Sequence, residues 1–228
     1  MDHEFMQIVQ LPLFEYGETA RNIAELFPAL WKAAEQLTSP DASIHQKGLD
    51  TILEMGAQKV SPLVAYLIAT CMNDADVFIR RRVVIILADL IAGEGNGQQI
   101  PDEVRAAVMH YVHNMSEAVV LGLLEVSVAD AHADQAIYHL FNTCPYAGKY
   151  LGDVLVQWKH PLAIRQKAIY FIGLVGYLEA LPVLERMMNR LEARQDGQYA
   201  MTFAPASSKN DDDLMPFLRI AIEQLNSR

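Results

Sequence analysis

The amino-acid sequence predicts an all-α fold, specifically a right-handed α-solenoid of about five helical hairpins. Two observations carry this prediction. The segment SIHQKGLDTILEMG, residues 43–56, aligns without gaps with AIRQKAIYFIGLVG, residues 163–176, so the 228-residue chain contains internal repeats. Apolar residues recur in each copy at helical spacing, whereas almost no segment shows the alternation that is typical of a β-strand.

Four copies of the repeat align on the apolar residue that opens each helix, at spacings of 35, 39 and 46 residues. Three positions stay in register, and in chain order they read Ile44, Ile79, Ala118 and Ile164, then Gly48, Val83, Gly122 and Ala168, then Ile52, Leu87, Val126 and Ile172. This spacing predicts one buried face on each helix. The small residues at the second position predict a close approach of the neighbouring helix.

Local signals predict where each helix begins and ends. Starts are indicated by Pro62, Pro101, Pro161 and Pro182 and by the possible N-caps Asp41, Asp76 and Asp211, and ends by Gly56, Gly93 and Gly176. The predicted helices cover residues 19–37, 43–55, 60–72, 77–92, 101–114, 117–129, 133–143, 146–158, 162–176, 179–193 and 212–225.

The last spacing, 46 residues, is long enough for one helix more than the other spacings allow. Either helix 133–143 is an insert, or Pro145 kinks a single long helix. We favour the insert, because the units before it are two helices apart and the next one is three.

The sequence predicts a single domain over residues 1–228. Residues 1–37 form an N-terminal cap, 38–193 the repeats, 194–211 a loop and 212–225 a C-terminal capping helix, because a stack of repeats needs modified outer faces. The loop carries Tyr199, Met201 and Phe203. It is either a binding loop or a simple connection that these apolar residues hold against the repeats.

Composition limits the class of partner and the compartment. The chain is 52% apolar and has a formal net charge of −10, which repels a phosphate backbone and argues against nucleic acid. Cys71 and Cys144 both lie in apolar helical patterns, which predicts buried thiols in a reducing compartment. No apolar run is long enough for a membrane span. We therefore predict an acidic, cytoplasmic protein that does not bind a membrane.

An acid in the turn and a base six residues later, Asp41 with Lys47 and Asp76 with Arg82, resemble the HEAT repeat. The later segment AIRQKAIYFIGLVGYLEALPVLERMM is similar to the HEAT subtype of bilin-lyase-like proteins. The resemblance covers about residues 38–193. It implies stacked helical hairpins in which the acid and the base bond between adjacent repeats, a structural role. Leu121 and Pro161 replace the base and the acid in the third and fourth copies, where we expect these bonds to be broken.

Catalytic and metal signatures are weak in this sequence. His110 and His113 lie one helical turn apart, but no third ligand follows nearby and the repeats contain no His-Glu dipeptide. Nucleophile motifs and phosphate-binding glycine loops are also absent. We predict no catalytic residue, no metal and no cofactor. Trp31 and Trp158 share their helices with other apolar residues, and we predict both in the core.

A partner-binding strip is predicted on the concave face, opposite the buried stripe of the repeat helices. Its middle is apolar, and Arg80 and Arg81, which we expect to be free, supply charge at its edge. Arg165 aligns with Arg80. The candidate residues are Arg80, Arg81, Ile85, Val120, Leu124, Arg165, Tyr170, Leu174 and Tyr177. Two alternatives stay open, because helix 133–143 either leaves Val120 and Leu124 accessible or covers them.

The function favoured by these patterns is a noncatalytic scaffold or adaptor that binds a segment of a partner protein with an acidic rim. The resemblance to bilin-lyase-like repeats implies an alternative, a lyase or chaperone for a tetrapyrrole. A third hypothesis is a structural subunit that self-associates into a homo-oligomer through the apolar strip.

Overall fold

The computed structural model describes residues 27–39, 41–95, 98–195 and 211–228, and these residues form an all-α fold. Eleven α-helices lie in these ranges: α1 Phe27–Leu37, α2 Ala42–Met55, α3 Pro62–Thr70, α4 Val77–Ala92, α5 Asp102–His113, α6 Glu117–Ala129, α7 Asp134–Thr143, α8 Ala147–Val156, α9 Leu162–Val175, α10 Leu181–Gln195 and α11 Met215–Asn226. Two short strands, β1 Glu94–Gly95 and β2 Gln98–Gln99, pair antiparallel between α4 and α5.

The predicted capping residues act at most of the helix ends. The carboxylates of Asp41 and Asp76 accept hydrogen bonds from the backbone N–H groups of the first turns of α2 and α4. Gly56, Gly93 and Gly176 end their helices at φ values of 66°, 78° and 93°, a conformation that strains other residues. Asp211 was expected to cap the last helix, but it lies in a 3₁₀ turn, Asp211–Leu214, and forms a buried ion pair.

The repeat pattern corresponds to the buried faces of α2, α4, α6 and α9. The second and third aligned positions are buried in all four copies: Gly48, Val83, Gly122 and Ala168, and Ile52, Leu87, Val126 and Ile172. The first position is buried at Ile79 and Ile164 but exposed at Ile44 and Ala118. Helical spacing therefore identified the core stripe correctly in its centre and less well at the helix starts.

Neighbouring copies pack against each other along the chain. Helix α4 packs against α6, and α6 packs against α9. The second helices of the first two hairpins, α3 and α5, pack against each other, and α1 packs on α2. One apolar core of buried side chains runs from Ala33 to Leu225.

The region between the third and fourth copies contains two helices, α7 and α8, rather than one long kinked helix. Helix α7 packs mainly on α4 and also contacts α5 and α9. Phe141 from α7 meets Phe171 from α9 edge to face, with ring centroids 5.1 Å apart. The extra helix is therefore part of the shared core.

Two predicted end segments lie largely outside the described residues. Residues 1–26 of the N-terminal cap and residues 196–210 of the loop, including Tyr199, Met201 and Phe203, belong to this part of the chain. The predicted capping helix is present as α11, which packs on α9 and α10 and buries Leu218 and Leu225.

Candidate functional site

The predicted apolar strip is closed at its centre. Val120 and Leu124 are fully buried, because α6 packs against α4, α8 and α9 and has apolar side chains on nearly every side. Helix α7 contacts α6 less than it contacts α4. Val120 and Leu124 are therefore covered, which is one of the two alternatives that the sequence left open, and their assignment as candidate partner-binding residues is wrong. Helices α4, α8 and α9 contribute more of the cover over α6 than α7 does.

Three further candidates are also inaccessible. Arg80 and Arg165 are buried, and so is Tyr177, whose hydroxyl donates to the backbone oxygen of Phe141 at 2.5 Å. Burial raises the pKa of Tyr177 and keeps its phenol neutral. Because these residues are occupied inside the fold, they cannot contact a partner.

The remaining four candidates are at least partly accessible. Ile85 and Tyr170 are exposed, and Leu174 is half-buried. Arg81 is half-buried and forms an ion pair with Asp130. The prediction that Arg80 and Arg81 are free is therefore wrong. Tyr170 is exposed to 41% and lies under the ammonium group of Lys167, with Nζ 5.4 Å from the ring centroid. The apolar strip is thus reduced to separate residues on α4 and α9.

A repeating polar contact, here called the polar ladder, joins the copies through His45, Arg80 and Arg165. These three residues occupy the same repeat position, one residue after the apolar residue that opens each copy. Each one contacts a backbone oxygen that precedes its own helix and a carboxylate from a later part of the chain. The ladder therefore ties α2, α4 and α9 to the segment that precedes each of them and to a later part of the chain.

The first two rungs of the ladder meet at Asp74. The two ring nitrogens of His45 face the backbone oxygen of Ser39 and, at 2.6 Å, Asp74 Oδ2. Arg80 Nη1 donates to the backbone oxygen of Asp74 at 2.7 Å, and its Nη2 donates to Glu125 Oε2 at 2.5 Å. The turn before α4 is thus held from both sides.

The last rung is the most buried. Arg165 Nε donates to the backbone oxygen of Leu155 at 2.9 Å, and its Nη1 donates to Asp211 Oδ1 at 2.6 Å. Both side chains of this ion pair are almost completely shielded from solvent. A buried ion pair requires such saturated bonding, because desolvation of each charge costs several kcal/mol.

The resemblance to HEAT repeats had placed the inter-repeat bond two residues later, at Lys47 and Arg82. Arg82 Nη2 does form an ion pair with the preceding copy, at 2.6 Å from Asp50 Oδ1. Its expected acid, Asp76, instead caps α4. The exposed Arg82 pair is therefore an addition to the buried ladder.

The third copy interrupts the polar ladder. Its equivalent position is Val119, an apolar residue on the first turn of α6. The backbone oxygen of His113, the last residue of α5, accepts a hydrogen bond from the thiol of Cys144, with Sγ at 3.6 Å. A weak thiol donor and a valine thus stand where the other copies have a cationic or protonatable side chain.

A cavity of about 270 Å³ lies at this interruption. It is formed by α3, the end of α5 and the turn into α6, and its lining residues are Tyr66, His110, Tyr111, Asn114, Met115, Ser116 and Val119. The rings of Tyr66 and Tyr111 meet edge to face, with centroids 5.4 Å apart and an interplanar angle of 83°. We call this site the α5–α6 pocket.

The α5–α6 pocket offers apolar, aromatic and neutral polar groups. Tyr66 is 42% exposed at its mouth, and burial raises the pKa of Tyr111, so that phenol stays neutral. Asn114 Nδ2 donates to the backbone oxygen of His110 at 2.8 Å, which leaves the amide oxygen as an acceptor. The pocket can therefore bind a side chain with an apolar stem and a donor at its tip.

The chain segment that supplies every lining residue of the pocket except Tyr66 is acidic. No Lys or Arg occurs between Arg105 and Lys149, whereas this segment contains Glu117, Glu125, Asp130 and Asp134. Three of these acids are paired with bases that reach in from α4 and α9. Glu117, next to Ser116 at the pocket, forms no ion pair with another described residue.

Both tryptophans lie on the surface, contrary to prediction. Trp158 is 85% exposed in the turn between α8 and α9. Trp31 stacks on Phe27 at a centroid distance of 6.2 Å and donates to Glu35 Oε1 at 3.0 Å. Apolar neighbours in the sequence did not identify the buried face, because Trp158 follows the last turn of its helix.

The described residues were also predicted to contain no metal site, two buried thiols and no membrane span. No group of three or more His, Cys, Asp or Glu is placed there to hold a metal ion, and His110 and His113 are both exposed. Cys71 and Cys144 are buried free thiols, as predicted. No single described helix is long and apolar enough to cross a membrane. Helices α5 and α6 are long and apolar enough only when taken together, and they are bent by 99° relative to each other.

Comparison of the chain with protein-family models, curated proteins and solved structures found no match. The HEAT resemblance therefore stays a prediction. The α5–α6 pocket was missed by sequence reasoning, although one signal was available. His45, Arg80 and Arg165 occupy the same repeat position, and the residue at that position in the third copy is the apolar Val119, which marks the interruption in the sequence itself.

Proposed function

We propose that the chain is a noncatalytic protein-binding scaffold with a HEAT-like, right-handed α-solenoid architecture. The observation that supports this function is the α5–α6 pocket, an aromatic-walled cavity next to exposed apolar side chains on two packed helices. Exposed apolar surface with a polar rim is typical of interaction sites. The cytoplasmic location stays part of the proposal.

The size of the pocket favours a protein partner over a free small molecule. Sites for drug-sized ligands usually enclose about 300–1,000 Å³. The pocket has about 270 Å³ and opens beside Tyr66, so it accepts one side chain of a larger partner. Tyrosines at such positions contribute large contact areas at low entropic cost, because they have few rotatable bonds.

Surface residues around the pocket extend the contact area. Leu63 lies one turn before Tyr66 on α3, and Met109 lies on α5; both are exposed. Tyr146, which is also exposed, meets His113 at a ring-centroid distance of 6.4 Å. These residues would surround an anchoring side chain with apolar contacts that exclude water.

The alternatives from the sequence have less support. A tetrapyrrole exceeds the volume of the α5–α6 pocket, and the arginines that could hold its carboxylates are paired within the fold. Self-association remains a distinct hypothesis, because Trp158 offers an exposed aromatic surface to a second copy. Light scattering over a range of concentrations separates it from binding of another protein.

The test compares two tyrosines of nearly equal exposure, Tyr66 at the pocket and Tyr170 on the face first predicted. Wild type, Tyr66→Ala and Tyr170→Ala are immobilised, and proteins retained from the native cell extract are quantified by mass spectrometry. Each retained protein is then purified, and its affinity for the three chains is measured. We expect a partner whose affinity falls at least about tenfold with Tyr66→Ala only.

Two outcomes would contradict this placement. A partner that depends on Tyr170 and not on Tyr66 returns the site to α9. Retained proteins that bind all three chains equally, together with unchanged folding by circular dichroism, would remove the pocket as the binding site.

A further inference from the structure

We infer that the α5–α6 pocket binds a lysine or arginine side chain from the partner, inserted where the third copy lacks its own ladder residue. This inference rests on the proposed function and specifies the occupant of the same site. It also reverses the expected polarity, because the arginines that suggested an acidic partner are all paired within the chain.

The first argument comes from the equivalent positions in the other copies. His45, Arg80 and Arg165 each place a nitrogen donor between a turn and a carboxylate. In the third copy, Val119 carries no donor, and a cavity adjoins it. A basic side chain from outside would supply the missing type of group beside the same turn.

The second argument is charge complementarity. The 43 residues from 106 to 148 contain no Lys or Arg, and the whole chain has a net charge of −10. Glu125, Asp130 and Asp134 are already neutralised by internal bases, whereas Glu117 is exposed beside Ser116. The Glu117 carboxylate is adjacent in sequence to the lining residue Ser116, and His160 interacts with it electrostatically without forming an ion pair. No described Lys or Arg lines the pocket to repel an incoming cation.

The third argument is the chemistry of the walls. A lysine or arginine has a long apolar stem and a charged tip, and its stem packs well against side chains such as Met115 and Val119. The faces of Tyr66 and Tyr111 attract a cation within about 6 Å of the ring centroid. The amide oxygen of Asn114 accepts a hydrogen bond from either tip.

An anion is the main competitor, because Ser116 marks the N-terminus of α6, where the helix dipole is positive. The pocket also contains the C-terminal turn of α5, whose dipole has the opposite sign. The Ser116 hydroxyl caps Val119 N at 3.4 Å, so one donor of that terminus is already satisfied. The remaining charge next to the lining residues is the carboxylate of Glu117, which favours a cation over an anion.

The test uses the full chain labelled with ¹³C at methionine methyl groups, since Met115 lines the pocket and Met188, on α10, lies outside it. The probes are pentapeptides Ac-Gly-Gly-X-Gly-Gly-NH₂ in which X is arginine, lysine, citrulline, norleucine or glutamate. Citrulline matches arginine in shape without its charge. We expect arginine and lysine to shift the Met115 signal with affinities about tenfold above citrulline, a difference of about 1.4 kcal/mol.

Variants separate charge from shape. Tyr66→Ala should abolish the Met115 shift, whereas Tyr170→Ala should leave it unchanged. Glu117→Gln should weaken arginine binding a few-fold and reduce its salt dependence, because the charge is partly exposed. The Met188 signal is the control for effects away from the pocket.

The outcomes distinguish the two proposals. Equal binding of norleucine or citrulline would overturn the cation inference and leave a protein-binding pocket. Tighter binding of the glutamate peptide would overturn it in favour of an anion. If no peptide shifts Met115, the inference fails, and the retention experiment with Tyr66→Ala decides the proposed function separately.

Discussion

The third and fourth copies of the repeat solve the same packing problem in different ways. In the fourth copy, Arg165 on α9 is buried and donates hydrogen bonds to the backbone oxygen of Leu155 and to the carboxylate of Asp211. In the third copy, Val119 occupies that position, α6 is apolar on nearly all sides, and a cavity opens beside its first turn.

This difference shows that one repeat architecture tolerates both a polar and an apolar connection. The polar connection demands saturated bonds, because an unpaired buried charge is costly. The apolar connection demands only close packing, and where packing is incomplete it leaves space. Binding sites in repeat proteins are therefore expected where a periodic polar contact is interrupted.

The largest expected effect on stability comes from placing a charge in the apolar packing around α6. Leu124→Asp places a charge at a fully buried position and should lower the free energy of unfolding by about 5 kcal/mol or more. That loss is enough to unfold many domains. Ile85→Asp, at the equivalent exposed position of α4, should change it by less than about 1 kcal/mol. Urea denaturation of both variants checks this, and a stable Leu124→Asp would mean that the groove is open.

The next effect breaks the polar side. Arg165→Met leaves Asp211, whose side chain is 5% exposed, without its guanidinium and should cost about 3–5 kcal/mol. Arg80→Met leaves Glu125 with a side chain that is 48% exposed and easily hydrated, so we expect a cost of about 1–2 kcal/mol. If Arg165→Met and Arg80→Met lower the denaturant midpoint equally, the burial of the acidic partner does not determine how much each ion pair of the polar ladder contributes to stability.

The comparison is sharpened by two glycines at the same repeat position. An alanine Cβ at Gly48 would lie 2.7 Å from the backbone oxygen of Ala33, so Gly48→Ala should destabilise by about 1–3 kcal/mol. At Gly122 the nearest atom, Arg80 Cδ, is 3.5 Å away, and alanine should stabilise the helix by about 0.5–1 kcal/mol. Thermal unfolding of both variants shows whether each substitution lowers or raises the melting temperature. If Gly122→Ala lowers it, α6 is not packed more loosely at Gly122 than α2 is at Gly48.

The smallest expected effect is on the pH dependence of stability and concerns the partly exposed ion pair of Asp130 and Arg81. Hydrogen bonds from the backbone and ring of His132, together with Arg81, lower the pKa of Asp130 to about 2. The unfolded state then binds more protons than the folded state between about pH 4 and pH 2. The stabilisation by Asp130 is therefore present above pH 4 and lost as the pH falls toward 2. Unfolding of wild type and Asp130→Asn should converge over that range, whereas a constant difference would contradict the pairing.

Much of the local structure could be predicted from the sequence because it depends on short-range chemistry. Apolar spacing placed Val83, Leu87, Ala168 and Ile172 on the buried faces, and Gly56 marked a helix end. The surface face could not be predicted in the same way. Val120 and Ile85 both lie opposite the core stripe, yet of these two only Val120 is covered, in a helix that packs against α4, α8 and α9.

By itself the sequence determined that the chain is all-α, where the repeat helices begin and end, and which stripe of each helix is buried. These properties follow from helical periodicity and from capping groups a few residues apart. Tertiary structure alone decided that Arg80 forms an ion pair with Glu125, 45 residues away, and Arg165 with Asp211, 46 residues away. It also decided that Trp158 lies outside the core. Such contacts depend on which surfaces the stacked helices bring together, and no local pattern encodes that choice.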